Sequence, residues 1–187
     1  ESDTIRIGIV PPEGKNGGFG QIEVVSPGND LALVRMEGRG TLPVATLFAG
    51  AVGDGADVFA IGYPGSVDLA QGYNMGDLVS PTAPVKTRGN VSAGRASRQF
   101  DTLLHTAPIG TGNSGGPLLD ACGRVVGINS FGTVSESGDS EFYFAVSMRE
   151  VARFLLNARV KAQISGEPCR SIAELDRAEA ERMAGEK

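Results

Sequence analysis

The sequence predicts an all-β fold, a sandwich or a barrel, followed by a closing helix. Glycine accounts for 27 of the 187 residues, roughly twice its average usage, and tryptophan is absent. Short runs rich in β-branched residues alternate with turn-forming glycine, proline, aspartate and asparagine. The hydrophobic fraction of 41% suffices for a buried core. These observations indicate a turn-rich globular β protein.

Ten short segments carry the strand pattern and are bounded by turn residues. They are residues 4–10, 21–25, 31–36, 58–63, 74–79, 89–93, 102–106, 116–119, 125–131 and 142–146. Strands of this number and spacing are typical of a sandwich or a barrel.

A helix is predicted directly after the last strand. Ser147 is suited to cap it, and Glu150 stands three residues later, in the capping-box position. Val151, Phe154 and Leu155 form an apolar face at helical spacing. The helix is therefore expected to pack against the β domain.

The rest of the chain divides by composition. A weak boundary lies within residues 77–89, where two prolines interrupt the strands, so two β lobes joined there are expected. From residue 171 a second capping-box pattern begins, but few apolar residues follow it. This predicts a peripheral helix or a frayed end.

The charge balance excludes some partners. Seventeen Lys and Arg residues stand against 22 Asp and Glu residues, giving a net charge of −5 at pH 7 without a basic cluster. Nucleic acid is not an expected partner, because phosphate backbones are bound by clustered basic side chains. No apolar run approaches the roughly 18 residues that span a bilayer, and the first residues carry no apolar leader, so no membrane span is expected. We expect no cofactor.

Cys122 and Cys169 are the two cysteines, and both lie in polar, turn-like surroundings. Their spacing lacks a CxxC pattern, so no metal site is expected. The residues alone leave two alternatives: unrelated buried thiols, or a disulfide that ties the tail to the domain body. A disulfide would imply an extracytoplasmic compartment.

The segment most informative about chemistry is PIGTGNSGGPLL at residues 108–119. Ser114, between small residues in a rigid loop, can present its hydroxyl to a substrate backbone. The amides of Gly112 and Ser114 can point at one place and stabilise a developing oxyanion. Strand patterns flank the loop and no helix follows the serine, which argues against the nucleophile elbow of α/β-hydrolases.

This loop resembles the nucleophile loop of the chymotrypsin-like, or trypsin-like, serine proteases, and in particular their bacterial HtrA/Deg branch. The matching run is GNSGGP at residues 112–117. Other segments are similar to the family's triad-aspartate segment, cleft-lining strand and closing strand: NDLALV at 29–34, VGINSFG at 126–132 and FYFAV at 142–146. All occur in the family's order, within residues 1–160.

The resemblance implies a chymotrypsin-like double β-barrel with the active site between the barrels. Residues 1–80 would be the remainder of the N-terminal barrel, 81–160 the C-terminal barrel with its closing helix, and 161–187 a partly helical tail. It also implies peptide-bond hydrolysis by a Ser-His-Asp triad. Ser114 would be the nucleophile, Asp30 would orient the histidine, and the amides of Gly112 and Ser114 would form the oxyanion hole.

For the substrate, the resemblance implies a polypeptide in extended conformation, paired with Ser130, Phe131 and Gly132. Such strand addition reads backbone rather than side chains. Ile109 would border the pocket for the residue before the cut bond and suggests an apolar pocket, whereas Glu141 could accept a basic side chain. Specificity therefore stays open, and nothing indicates the oligomeric state.

The histidine departs from the family's pattern. The family places it before the aspartate, yet no histidine precedes Asp30. The only one, His105, lies nine residues before Ser114 and is expected to be a wall or surface residue rather than the base. Two explanations are open: a preceding segment that carries the histidine is missing from this chain, or the fold never had the base and binds peptides without cleaving them.

The resemblance also brings Cys122 and Cys169 together, because the family's terminal helix packs back against the second barrel. It therefore favours the disulfide. A periplasmic or secreted location is expected with it, since disulfides persist in oxidising compartments.

Overall fold

The computed structural model describes residues 5–12, 17–38, 42–74, 77, 80, 82–96, 100–133, 141–170 and 172–185. Its elements, in chain order, are β1 (Arg6–Ile9), β2 (Gly18–Ser26), β3 (Leu31–Met36), β4 (Leu47–Phe48), β5 (Asp57–Gly62), α1 (Gly65–Ala70), β6 (Val85–Ala96), β7 (Asp101–His105), β8 (Pro117–Asp120), β9 (Val125–Gly132), β10 (Tyr143–Ser147), α2 (Met148–Asn157), β11 (Ile164–Ser165) and α3 (Ile172–Gly185).

The strands form two sheets. β1, β2 and β3 make a three-stranded antiparallel sheet. The other sheet has the order β10-β7-β6-β5-β8-β9-β4-β11, and a further pairing of β10 with β9 closes its first six strands into a barrel. The expected all-β fold, with a closed barrel and a helix after its last strand, is confirmed.

Alanine, valine and leucine side chains fill the barrel. In β5 buried residues alternate with partly buried ones, as expected for a strand with one face toward a core. The buried residues of this core are Val58, Ala60, Val91, Leu103, Ala107, Leu118, Val126 and Ala145. A second cluster joins Leu31 of β3 to Val146 of β10 and Val151 of α2. Helix α2 and the barrel thereby hold the three-stranded sheet.

Strand pairing assigns two strands before residue 81 to the barrel sheet. β5 pairs with β6 and β8, so Asp57–Gly62 belongs to the barrel although it precedes residue 81. β4 also pairs with barrel strand β9. We propose that the two lobes are divided between β3 and β4 rather than after residue 80.

One predicted strand is wrong where the structure describes it. Of residues 74–79, Asn74 and Asp77 are described, and they form a turn in which the Asn74 amide donates to the Asp77 carboxylate at 2.8 Å. The other four residues lie outside the described part. Aspartate stabilises turns through such bonds.

Three elements were not predicted. β4 and β11 have two residues each, too short to show a periodic pattern. Helix α1 has six residues and follows Pro64, which occupies its N-cap position. Short elements of this kind depend on their neighbours more than on local sequence.

The helices differ from expectation at their caps. Ser147 occupies the N-cap position of α2, but its side chain makes no capping hydrogen bond. Glu150 is buried and accepts from Asn29 instead, so the predicted capping box is wrong. Helix α3 is present, and its described side chains are exposed. Among the described residues, no helix combines the length and hydropathy needed to cross a membrane.

The disulfide joins Cys122 to Cys169, with their Cα atoms 5.8 Å apart, and confirms that pairing. Arg124 supports the same junction. Its guanidinium pairs with Asp120 at 2.6 Å and donates to the carbonyl oxygen of Glu167. The segment before α3 is therefore fixed to the turn between β8 and β9 both covalently and by hydrogen bonds.

Candidate active site

Residues 110–116 form the loop that resembles the family's nucleophile loop, and we call it by that name. Backbone hydrogen bonds hold this loop. Asn113 donates to Gly110 at 3.0 Å, and Gly116 donates to Asn113 at 2.9 Å. Gly115 donates to Asn129 of β9 at 2.8 Å, and Asn129 donates to Gly116 at 2.9 Å. These reciprocal bonds fix the loop against β9.

Close approach to β5 explains why the loop needs glycine. Gly112 has φ of 104°, and a Cβ there would lie 2.2 Å from the carbonyl oxygen of Tyr63. A Cβ at Gly116 would lie 2.3 Å from the carbonyl oxygen of Ile61. Any side chain would displace the loop from its position.

Ser114 lies exposed on this loop. Its hydroxyl donates to the carbonyl oxygen of Ser130 at 2.7 Å. Ser130 is buried on β9, and its own hydroxyl donates to the Asp30 carboxylate. The structure thus brings Ser114 and Asp30 to opposite ends of one buried residue, although 84 positions separate them in the sequence.

Asp30 is placed by a tight turn that ends β2. A 3-10 turn, Pro27–Asn29, follows that strand, and Asp30 caps it in the left-handed conformation with φ of 54°. Asp30 is exposed, so its carboxylate has a face open to a further group. A left-handed backbone is unfavourable for aspartate and needs support from its surroundings.

Four amides of the nucleophile loop have no acceptor among the described residues: those of Gly110, Thr111, Gly112 and Ser114. The neighbouring amides of Asn113, Gly115 and Gly116 donate to backbone carbonyls. Gly112 and Ser114 are both exposed, so their amides are free to donate to a bound group.

The expected substrate residues lie along β9 and before the loop. β8 pairs with β9 only as far as Ile128. Beyond Ile128, none of the described strands pairs with Ser130–Gly132 on the β8 side of β9. Phe131 is exposed and stacks on Phe144, with ring centroids 4.6 Å apart. Ile109 is partly buried against the barrel core.

Glu141 already has a partner. The Tyr143 hydroxyl donates to its carboxylate at 2.5 Å. This hydrogen bond, together with burial, raises the pKa of Tyr143 to about 12. The Glu141 carboxylate thus accepts a hydrogen bond from a phenol that is neutral near pH 7.

His105 is fully buried in the barrel, opposite Val91 and Tyr143, so a surface position is wrong for it. Neither ring nitrogen makes a well-formed hydrogen bond with a described residue, although the ring lies near the backbone of Ala107. Burial lowers its pKa to about 4. The ring is a neutral core side chain near neutral pH, which fits the expectation that it is not the base.

Asn129 is the residue of this site that sequence analysis missed. Its backbone bonds the nucleophile loop in both directions, and its side-chain amide donates to the carbonyl oxygen of Pro117 at 3.2 Å. The available signal was an asparagine beside a serine in a mostly apolar strand, VGINSFG, where a buried amide must find partners.

The closed barrel and the placement of Ser114 on it define a trypsin-like serine peptidase domain. The chain belongs to the trypsin-like peptidase domain family, whose model matches residues 12–128.

Relatives and a solved structure agree with this family. The serine protease Do-like HtrB of Bacillus subtilis is 32% identical over 123 residues, which cover 65% of this chain and 26% of that protein. Serine protease Do-like HtrA of the same organism is 33% identical over 143 residues, covering 72% and 29%. The chain therefore spans little more than a quarter of the length of these relatives.

A similar solved structure is the HtrA-type protease AlgW with a decapeptide. It superposes with a TM-score of 0.61 at 27% identity, covering 76% of this chain and 41% of that one. The fold and the HtrA type of this domain are thus supported by sequence and by structure.

Proposed function

We propose that the chain is the endopeptidase domain of an HtrA-type serine protease, with Ser114 as nucleophile and Asp30 as the residue that orients the catalytic histidine. The observation that carries the proposal is the hydrogen-bonded path from Ser114 through Ser130 to Asp30. It holds an exposed hydroxyl and an exposed carboxylate at the junction of the two lobes. An imidazole between them would complete a Ser-His-Asp triad.

The imidazole comes from outside these 187 residues in this proposal. The chain contains one histidine, His105, and it is buried in the barrel. The inserted imidazole would accept the Ser114 proton as the hydroxyl oxygen attacks the substrate carbonyl, and Asp30 would stabilise the imidazolium. The proton would then pass to the leaving amine.

The free amides of Gly112 and Ser114 would bind the oxyanion that forms in this attack. Their neighbours are fixed by backbone hydrogen bonds, so the donors are held in place before substrate arrives. Preorganised donors of this kind contribute roughly 10²–10³-fold each to the rate.

The substrate is proposed to be an extended polypeptide beside Ser130, Phe131 and Gly132. The open edge of β9 supports this, as does the decapeptide bound to the similar HtrA-type protease. We favour an apolar side chain before the cut bond, because Ile109 borders the loop while Glu141 is bonded to Tyr143.

The second candidate function is a peptide-binding module that does not cleave. The burial of the only histidine favours it. Labelling with a serine-directed fluorophosphonate separates the two functions, using the 187-residue chain, the full polypeptide encoded by its gene, and Ser114→Ala in each.

We expect rapid labelling of Ser114 in the full polypeptide and none in Ser114→Ala. A full polypeptide that binds an extended decapeptide but leaves Ser114 unlabelled would support the binding module instead. Sequencing its amino terminus shows whether a histidine segment is present.

We also propose a periplasmic or secreted location. Cys122 and Cys169 are both exposed, and an exposed disulfide persists where the surroundings are oxidising. Thiol titration of denatured, unreduced protein from its native source tests this. Two free thiols would contradict the proposed location.

A further inference from the structure

Glu150 is a carboxylate buried in the first turn of α2, with 5% of its surface exposed. One oxygen accepts from the Asn29 side-chain amide at 2.6 Å, and the other from the Asp101 backbone amide at 3.3 Å. Arg153 lies 3.6 Å away, with a largely exposed side chain. A buried carboxylate is unfavourable unless such donors surround it, so its partners at this position matter.

Asn29 is oriented from both ends of its side chain. Its amide oxygen accepts from the Ser26 hydroxyl at 3.0 Å, while its amide nitrogen donates to Glu150. Because an ionised carboxylate only accepts, this pairing fixes which way the amide points. The next residue is Asp30, in its left-handed conformation.

The three residues 29–31 fasten the three-stranded sheet to the barrel and α2. Asn29 bonds Glu150, Asp30 bonds Ser130, and Leu31 packs in the cluster with α2. In the described part of the chain, the first two are the side-chain hydrogen bonds that cross between β1–β3 and the rest of the domain. Each of them bears on the position of Asp30.

We propose that Glu150 is a positioning residue that acts through Asn29 to hold Asp30 in the left-handed conformation, so that its carboxylate reaches Ser130. This rests on the proposed role of Asp30 as the residue that orients the histidine. Without the Glu150 contact, the turn loses one of its three anchors, and Asp30 relaxes toward the backbone conformations that non-glycine residues favour.

NMR on the isotope-labelled 187-residue chain tests the proposal without requiring activity. The readout is the intraresidue NOE between the Asp30 amide and Hα protons, which is strong when φ is positive. We compare wild type with Glu150→Ala, Asn29→Ala, Glu150→Gln and the control Arg153→Ala, which removes a neighbouring charge but keeps the Asn29 bond.

We expect the strong Asp30 NOE to weaken in Glu150→Ala and Asn29→Ala, while the signals of barrel strands β5 to β8 stay in place. It should persist in Arg153→Ala and in Glu150→Gln, whose single amide oxygen can accept from Asn29 while the weaker contact with the Asp101 amide is lost. An unchanged Asp30 NOE in folded Glu150→Ala overturns the proposal. If Glu150→Ala does not fold, Asn29→Ala decides in the same way.

The proposed function and the role of Glu150 are tested by different measurements. Fluorophosphonate labelling of Ser114 tests the function, and the Asp30 NOE tests the role of Glu150. Where the full polypeptide is active, Glu150→Ala should lower kcat with little change in KM, since Asp30 acts on the reaction step rather than on substrate binding. Glu150→Gln should restore most of kcat.

Discussion

The hydroxyl of Ser114 donates to the carbonyl oxygen of Ser130 at 2.7 Å. A carbonyl oxygen accepts this hydrogen bond but does not take the proton, so the contact holds the hydroxyl without activating it. Because the Ser130 hydroxyl bonds Asp30, the same residue aligns both proposed triad members. The proposed nucleophile is therefore positioned, and in the proposed mechanism its activation requires an imidazole.

The first prediction concerns the 187-residue chain by itself. It should hydrolyse a fluorogenic peptide no faster than its Ser114→Ala variant, because His105 is buried and, among the described residues, the Ser114 hydroxyl bonds a carbonyl oxygen rather than a base. Initial rates of the two purified proteins give the answer. Robust cleavage that His105→Leu abolishes would contradict two conclusions: that the base is absent from this chain, and that His105 is only a core side chain.

The second prediction concerns Ser130 in an active, histidine-containing form of the protein. Ser130→Ala removes the hydroxyl that donates to Asp30, and hydrogen bonds to charged groups contribute about 1.5–3 kcal/mol. We expect kcat to fall roughly 10- to 100-fold, with a smaller change in KM. Ser66→Ala, a serine exposed on α1, is the matched control. A kcat equal to that of the control would contradict the aligning role of Ser130.

The nucleophile loop could be predicted from sequence because its chemistry is local. Glycines around Ser114 and a strand after it sufficed to indicate an exposed hydroxyl with free amides nearby. The partner of Ser114 was not predictable in the same way. Its contact with Ser130 depends on how β9 packs under the loop, which no local pattern encodes.

Buried polar groups show more clearly that local sequence does not predict contacts made by tertiary packing. Glu150 has the spacing of a capping box, yet the structure uses it to bind Asn29, 121 positions away. Tertiary burial overrides the local cap, because a carboxylate removed from water takes the donors that the fold brings to it. His105 likewise appears in a strand pattern that does not distinguish a surface residue from a core one.

The third prediction separates two costs of adding a side chain to the nucleophile loop. One is collision with neighbouring atoms, and the other is an unfavourable backbone conformation. Gly112 and Gly115 both have positive φ, but a Cβ at Gly112 meets Tyr63, whereas one at Gly115 meets nothing within 4 Å. Gly115→Ala should destabilise the domain by about 1–2 kcal/mol, the cost of a left-handed backbone. Gly112→Ala should cost more, and urea unfolding of both measures the difference. Equal costs would contradict the close approach of Gly112 to Tyr63, the residue that follows β5.

The fourth prediction is a pH dependence that originates in His105. Its pKa of about 4 in the folded protein lies below the value of about 6.5 in the unfolded chain, since burial penalises the charged ring. The unfolded state therefore binds a proton first as pH falls. The contribution of His105 to the free energy of unfolding is therefore fully present above about pH 6.5. It declines by about 3 kcal/mol as the pH falls to 4.

His105→Leu isolates that contribution from the titration of carboxylates. The leucine keeps an apolar side chain in the barrel and removes two buried nitrogens that make no well-formed hydrogen bond with a described residue, so the variant should be no less stable near pH 7. Urea unfolding at pH 7, 5.5 and 4.5 should show a smaller loss of stability in the variant. Parallel losses in both proteins would rule out His105 as the source.

The fifth prediction concerns the bond between Cys122 and Cys169. It closes a loop across 47 positions, and the chain-entropy model assigns such a loop about 4 kcal/mol of stability. Reduction should lower the free energy of unfolding by up to this amount. The double variant Cys122→Ser, Cys169→Ser should be as stable as the reduced protein, and adding reductant should not change its stability. The pairing of β11 with β4 has two residue pairs, so hydrogen exchange in β11 should rise before the barrel strands respond. Exchange in β11 that stays at its oxidised rate after reduction would show that Arg124 and strand pairing hold the tail without the disulfide.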